Sequence, residues 1–316
     1  MIKKFFVAIQ LLILLLVVYW ACKNIDFIQL KSAVLSISIP VFIVVLLQRI
    51  TPFIFLSTRL MYLFGLDFKY SLNYSSLCVS INCVLPFRLG ELFKITLIKN
   101  KMAIPFFVSA YKIFIERLLD VTALFLMMLI FAVNFVDGNK LIALLLFIVA
   151  TWFVLVLLIV FQKKISSLKI LKKIRYIFRI ALSDHRLHKY FFHLLLSTIL
   201  VWAMNVIHVY LVCNYAFNLN LSLTTIFVVC VAIFASSAFG GLPGGIGIME
   251  GAVVLVLLHF NVSKEDALAC ALMFRFLYTF LPLLLVLLSF ALIIKKNSLL
   301  HTFKLSRGIR NNSSLF

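Results

Sequence analysis

Two short stretches of this chain must end a helix in surroundings that leave little room for a loop. They are Leu85-Pro86-Phe87-Arg88-Leu89-Gly90-Glu91 and Leu242-Pro243-Gly244-Gly245-Ile246-Gly247-Ile248-Met249-Glu250. In both, glycine stands four residues after proline and glutamate follows shortly after that glycine. Proline lacks an amide donor and glycine frees the backbone, so each stretch breaks a helix. At bilayer depth such a break persists only where protein or a watery cavity satisfies the exposed peptide groups. Paired breaks in corresponding halves of a membrane protein point to a transporter's binding site.

The flanking sequence puts these breaks in a membrane. Of the 316 residues 65% are hydrophobic and mean hydropathy is +1.17, against an apolar content of roughly 45–50% in soluble domains. Phe5 to Cys22, Leu141 to Gln162 and Phe276 to Ile294 carry no charge, and about 20 apolar residues suffice to cross the hydrocarbon as a helix. Between Tyr190 and Ser263 the one formally charged side chain is Glu250. Met1 to Cys22 has a basic start but no small-residue cleavage site, so it is expected to span and not to be cleaved as a signal peptide.

The net charge of +20 gathers outside these runs. Nine Lys and Arg lie between Gln162 and Tyr190, opposed by Asp184, and five more lie between Lys295 and Arg310. Basic loops of a membrane protein face the cytoplasm, which fixes the expected topology and makes nucleic acid an unneeded partner. In the central loop Ile165, Leu168, Leu171, Ile174 and Phe178 recur at helical spacing, suited to a helix lying on anionic headgroups. The six cysteines show no CxxC spacing and read as small core residues. The histidines, His208 and His259 among them, form no ligand pair, so neither a metal nor another cofactor is expected.

The chain is thus read as one all-α, polytopic membrane domain over 1–316, with both termini cytoplasmic in a bacterial inner membrane. About six full spans and two broken, re-entrant hairpins are expected. The spans are Phe5 to Cys22, Ile39 to Leu63, Pro105 to Val136, Lys140 to Gln162, Tyr190 to Tyr215 and Lys264 to Ile294. The hairpins form around the two breaks. One includes Ser71 to Leu85 and returns toward Lys94, Lys99 and Lys101 on the cytoplasmic side; the other is Leu221 to Phe260. A basic loop covers 163–189 and a basic tail 295–316. Segments 39–136 and 190–294 each read span, broken hairpin, span, entered from opposite faces, and therefore form inverted repeats. Arg117 follows Pro86 by 31 positions and Arg275 follows Pro243 by 32, giving each repeat an arginine at an equivalent place.

The combination Leu85-Pro86-x-Arg88-x-Gly90-Glu91, Glu116-Arg117-x-x-Asp120, Leu242-Pro243-Gly244-Gly245-Ile246-Gly247-x-x-Glu250-Gly251, and Arg275 with Tyr278 resembles the lysylphosphatidylglycerol synthetase transmembrane family, also called the flippase-like domain family. The resemblance spans essentially the whole chain, and its glycine-rich segment is the specific part. It implies a membrane domain that, in bacterial aminoacyl-phosphatidylglycerol proteins, moves the modified lipid to the outer leaflet. Other relatives accompany lipid glycosylation and hopanoid pathways. Full-length synthetases add a soluble transferase domain that this sequence does not contain, so the chain is expected to move lipid and not to be an enzyme. A separate lipid-modifying transferase is an expected partner.

Charged groups within spans cost at least about 2.5 kcal/mol each on insertion scales, and they face protein or water. The candidates are Arg88, Glu91, Glu116, Arg117, Asp120, Glu250 and Arg275, joined by Gly244, Gly245, Gly247 and Tyr278. Arg88, Arg117 and Arg275 suit a lipid phosphate, because guanidinium stays charged and presents a planar fork. Amides near Gly244, Gly245 and Gly247, at a helix beginning at Ile246, would turn a helix dipole toward the anion. The competing reading of the arginines is structural pairing with Glu91, Glu116, Asp120 or Glu250. Glu91 and Glu250 have three roles open to them: pairing with arginine, binding a lipid amine, or proton exchange. Arg49 and Arg59 are the less compelling arginines, Arg59 lying near a helix end from which it can snorkel. The expected cargo is an anionic or aminoacylated phospholipid, or a polyprenyl-phosphate-linked lipid. A membrane subunit or integral-membrane enzyme of a lipid-modification pathway is the alternative.

Overall fold

A computed structural model of the chain describes residues 26–85, 88–131, 185–238 and 247–287, and every regular element among them is helical. The expected spans at Phe5 to Cys22 and Lys140 to Gln162, most of the basic loop, and the tail lie outside the described residues. So do Pro86, Pro243, Gly244 and Gly245.

In chain order the helices are α1 (Phe27–Leu35), α2 (Ile39–Gln48), α3 (Thr51–Phe64), α4 (Phe68–Val84), α5 (Leu89–Met102) and α6 (Phe106–Phe131). After the central segment come α7 (His185–Tyr210), which runs into a π-helical turn at Leu211–Ala216, α8 (Leu223–Ala238), α9 (Ile248–His259) and α10 (Lys264–Leu287). Among the described residues three helical stretches are long and apolar enough to cross a membrane: Ile39–Phe64, His185–Ala216 and Lys264–Leu287. α6, at 26 residues, has the length as well, but it carries Lys112, Glu116, Arg117 and Asp120.

The stretch expected as one span at Ile39 to Leu63 is bent between α2 and α3. Pro52 has no amide to donate to the carbonyl of Gln48 four residues back. The Thr51 hydroxyl takes that carbonyl instead, at 2.7 Å, and Arg49 becomes the residue at the bend.

The first expected break is present: α4 stops at Val84, Leu85 turns extended (ψ 144°), and Arg88 precedes α5 in the left-handed region at φ +52°. At the second, residues 239–246 lie outside the described ones; α8 is described to Ala238, and Gly247 precedes α9 at φ +84°. At each break the chain folds back, α4 against α5 and α8 against α9. Gly90 lets the first hairpin close: its amide donates to Asn82 Oδ1 at 2.8 Å, and a Cβ there would collide with the backbone carbonyl of Cys78. At 1.5 Å of rise per residue the four hairpin helices run from roughly 18 to 26 Å.

α3 packs along α7, and these two elements form the centre to which both hairpins attach. One apolar cluster joins Leu60 and Leu63 of α3, Ile95 and Ile98 of α5, Ile113 and Leu119 of α6 and Leu194 of α7. The other joins Val206 and Val209 of α7 to Ile226 of α8, Val253 of α9 and Phe274 of α10. α7 thus serves both halves. Ile28, Ile130, Phe192 and Leu287 are among many exposed apolar side chains, whereas Arg49, Arg59, Lys94, Lys112, Glu116 and Asp120 are buried. That arrangement suits a lipid solvent and inverts the pattern of a water-soluble domain.

Candidate functional site

Glu116 and Asp120 stand four residues apart on α6 and therefore share a face of that helix. Arg59 of α3 reaches both with separate arms of its guanidinium, 2.5 Å from Nη2 to Glu116 Oε1 and 2.6 Å from Nη1 to Asp120 Oδ1. Arg117 closes on the same two carboxylates, with Nη2 2.6 Å from Glu116 and Nη1 3.1 Å from Asp120. Lys94 of α5 donates to both Glu116 oxygens, at 2.9 and 2.8 Å. From α7, Trp202 Nε1 donates to Asp120 at 3.3 Å, and Arg59 Nη1 donates to the Thr198 hydroxyl at 3.3 Å. Glu116, itself buried, thereby binds three cations, and four helices are tied together through one carboxylate pair.

Two of these cations correct the sequence reading. Arg59 does not snorkel from a helix end: it is fully buried and its fork bridges the two acids. Lys94, expected among the cytoplasmic lysines with Lys99 and Lys101, is 4% exposed and points at Glu116. One signal for Arg59 was present in the sequence. Two carboxylates on one face of an apolar helix require more positive charge than Arg117 alone supplies.

Glu91 sits at the edge of this group. Its carboxylate is 3.6 Å from Arg117 Nη1, with side chains 25% and 38% exposed, so this pair opens to the surroundings. Arg88 lies at the break itself, half-buried, immediately before α5.

The second break carries a simpler arrangement. Arg275 of α10 grips Glu250 of α9 with two arms, Nε to Oε1 and Nη2 to Oε2, the latter at 2.8 Å. Glu250 Oε2 also accepts the amide of Gly247 at 2.9 Å, capping its own helix. That helix begins at Ile248, two residues later than expected at Ile246. Its N-terminal end is already served by a carboxylate, so the anion-binding role expected of Gly247 is taken up by Glu250.

The two breaks match in detail. Glu91 and Glu250 are each the third residue of the helix after a break, each preceded by a residue with positive φ. Each is paired with the arginine of the long helix that follows, Arg117 being 26 residues on and Arg275 25. α4 runs between the two groups. Cys78 lies within electrostatic reach of Lys94, Glu91, Glu116 and Arg117, and Cys83 within reach of Arg275 and Arg49. These cysteines are five residues apart, roughly 7.5 Å of helix rise. Cys83 Sγ also donates to the carbonyl of Tyr278 at 3.4 Å, one turn beyond Arg275. Among the described residues no group of three or more His, Cys, Asp or Glu could hold a metal ion.

The family model described as the lysylphosphatidylglycerol synthase TM region matches residues 7–285, a span that includes both breaks and every charged group named above. No curated protein matches the chain.

Proposed function

The chain belongs to the lysylphosphatidylglycerol synthase transmembrane family, and on that footing we propose that it is a lipid translocase. It carries a phospholipid with an anionic or aminoacylated headgroup, or a polyprenyl-phosphate-linked lipid, between leaflets of a bacterial inner membrane. The observation that carries this reading is the matched pair of glutamate–arginine contacts, Glu91 with Arg117 and Glu250 with Arg275, each following a helix break. The hairpin helices, at roughly 18 to 26 Å, fall short of a hydrocarbon core of about 30 Å, which favours re-entrant hairpins dipping from opposite leaflets. In such an arrangement the headgroup passes along a polar path between the repeats while its acyl chains stay in lipid.

The exchangeable ion pairs give the path its chemistry. An arriving phosphate competes with a carboxylate for the guanidinium fork, and an aminoacyl amine competes for the carboxylate. Because the ion pairs are already neutral, the empty path does not set these groups singly against hydrocarbon. Arg117 and Glu91, the most exposed of these groups, are the first contact for the headgroup, and the fully buried Arg59, Glu116 and Lys94 are the fixed frame.

Reconstitution into liposomes with headgroup-labelled lipids tests the proposal. Aminoacyl-phosphatidylglycerol, phosphatidylglycerol and a polyprenyl phosphate are each followed for leaflet exchange against protein-free vesicles. Faster exchange of at least one of these lipids is expected; exchange at the protein-free rate for all three refutes translocation.

A further inference from the structure

Nearly all the buried charge described so far is internally compensated. Arg59, Lys94 and Arg117 face Glu91, Glu116 and Asp120, and Arg275 faces Glu250. Lys112 donates to the Leu63 carbonyl at the end of α3, where the helix dipole is negative. Arg49 is different. It is 4% exposed, and among the described residues the titratable groups within its electrostatic reach are Tyr278, Cys83, Cys230 and His208, none of them a carboxylate.

The surroundings of Arg49 hold it firmly without neutralising it. Its guanidinium carbon lies 3.8 Å from the centre of the Tyr278 ring and 5.5 Å from that of Phe53, a cation–π seat. Nη1 donates to Asn205 Oδ1 at 3.1 Å, while Nε is buried with no hydrogen-bond partner. Two neighbours share that condition. The Tyr278 hydroxyl and His208 Nε2 are also buried and unpartnered, in rings whose centres are 5.7 Å apart. His208 is held through Nδ1 by Gln48 at 2.9 Å, next to Arg49 in sequence. Leaving a buried polar atom unsatisfied costs about 1–3 kcal/mol, and more when it is charged. The two buried donors among these atoms, Arg49 Nε and the Tyr278 hydroxyl, would thus be completed by a single anion with several oxygens.

We propose that Arg49, with Asn205, His208 and Tyr278 around it, binds a phosphate-class anion, either the phosphodiester of a lipid headgroup or free inorganic phosphate. The guanidinium fork matches paired phosphate oxygens, and the phenol supplies a further donor. The site lies at the bend between α2 and α3, against α7 and α10, and the Cys83 contact to Tyr278 sets the tip of the first hairpin beside it. It is separate from the carboxylate-paired arginines and does not depend on translocation.

The test is equilibrium binding to the full chain purified in detergent, followed by calorimetry and thermal unfolding. The probes are dihexanoylphosphatidylglycerol, sodium phosphate at constant ionic strength, and dihexanoylglycerol as the uncharged counterpart. Wild-type protein should bind the phospholipid probe, phosphate, or both, and not the uncharged one. Binding of the phospholipid alone assigns the site to a headgroup, and binding of both assigns it to the phosphate group itself. Arg49→Gln should weaken binding at least about tenfold, the loss of a charge-assisted bidentate contact. Asn205→Asp sets a carboxylate beside the guanidinium, and should raise the unfolding temperature of the anion-free protein while weakening binding to a similar degree. This second variant decides the matter if Arg49→Gln does not fold. Wild-type protein that binds neither charged probe, or an Asn205→Asp protein that binds as tightly as wild type, overturns the proposal.

Discussion

Glu116 is the residue on which the first half of the molecule depends most. Itself buried, it receives Arg59, Lys94 and Arg117. Removing one partner of a buried ion group leaves the others uncompensated, at a cost of about 3–5 kcal/mol. Glu116→Gln should therefore destabilise the detergent-purified protein by an amount in that range, read from its unfolding midpoint. Glu91→Gln, at a pair 3.6 Å apart and partly exposed, should cost no more than about 1 kcal/mol. Equal losses for the two variants would contradict the division into fixed frame and open contact. The residue scale is also where the sequence was least legible. Arg117 and Arg275 could be placed because their spacing from Pro86 and Pro243 repeats. Lys94 could not, because its role depends on which face of α5 turns toward α6, a tertiary fact with no local signal. Arg49 could not either, since its contacts with Asn205 and Tyr278 come from helices more than 150 positions away in the chain.

At the scale of elements, the breaks themselves were readable. Leu-Pro followed by glycine and glutamate foretold where α4 ends and where α5 and α9 begin, within two residues for α9. The expected span from Ile39 to Leu63 was right in extent, whereas its bend went unread although Pro52 was in view. A proline near the middle of an apolar run is compatible with either a kink or a helix start, and tertiary packing decides between them. Gly90 serves the first hairpin sterically and not by its dihedral angles: α4 and α5 approach so closely that no side chain fits against the Cys78 carbonyl. Gly90→Ala should force the two helices apart and cost about 1–3 kcal/mol, the range for overpacking a tight contact. Thermal unfolding of that variant gives the measurement, and an unchanged midpoint would mean that the hairpin closes elsewhere.

For the whole molecule, the fold sets two hairpins on a central pair of helical elements, α3 and α7, with apolar side chains outward and ion groups inward. Composition and the family resemblance indicated the helical membrane class. The junction of the halves was not indicated, because contacts such as Trp202 to Asp120 and Cys83 to Tyr278 join residues 82 and 195 positions apart. The central claim is that the Glu250–Arg275 fork and its counterpart after the first break are working contacts for a headgroup and not only structural ties. Leaflet exchange of the lipid that the wild-type protein moves best, measured in liposomes carrying Glu250→Gln, Arg275→Gln or wild-type protein at equal folded amounts, tests it most directly. Exchange should fall at least about tenfold in both variants, the effect of losing one charge-assisted contact of roughly 1.4 kcal/mol or more. Folded variants that exchange lipid at the wild-type rate would contradict the claim.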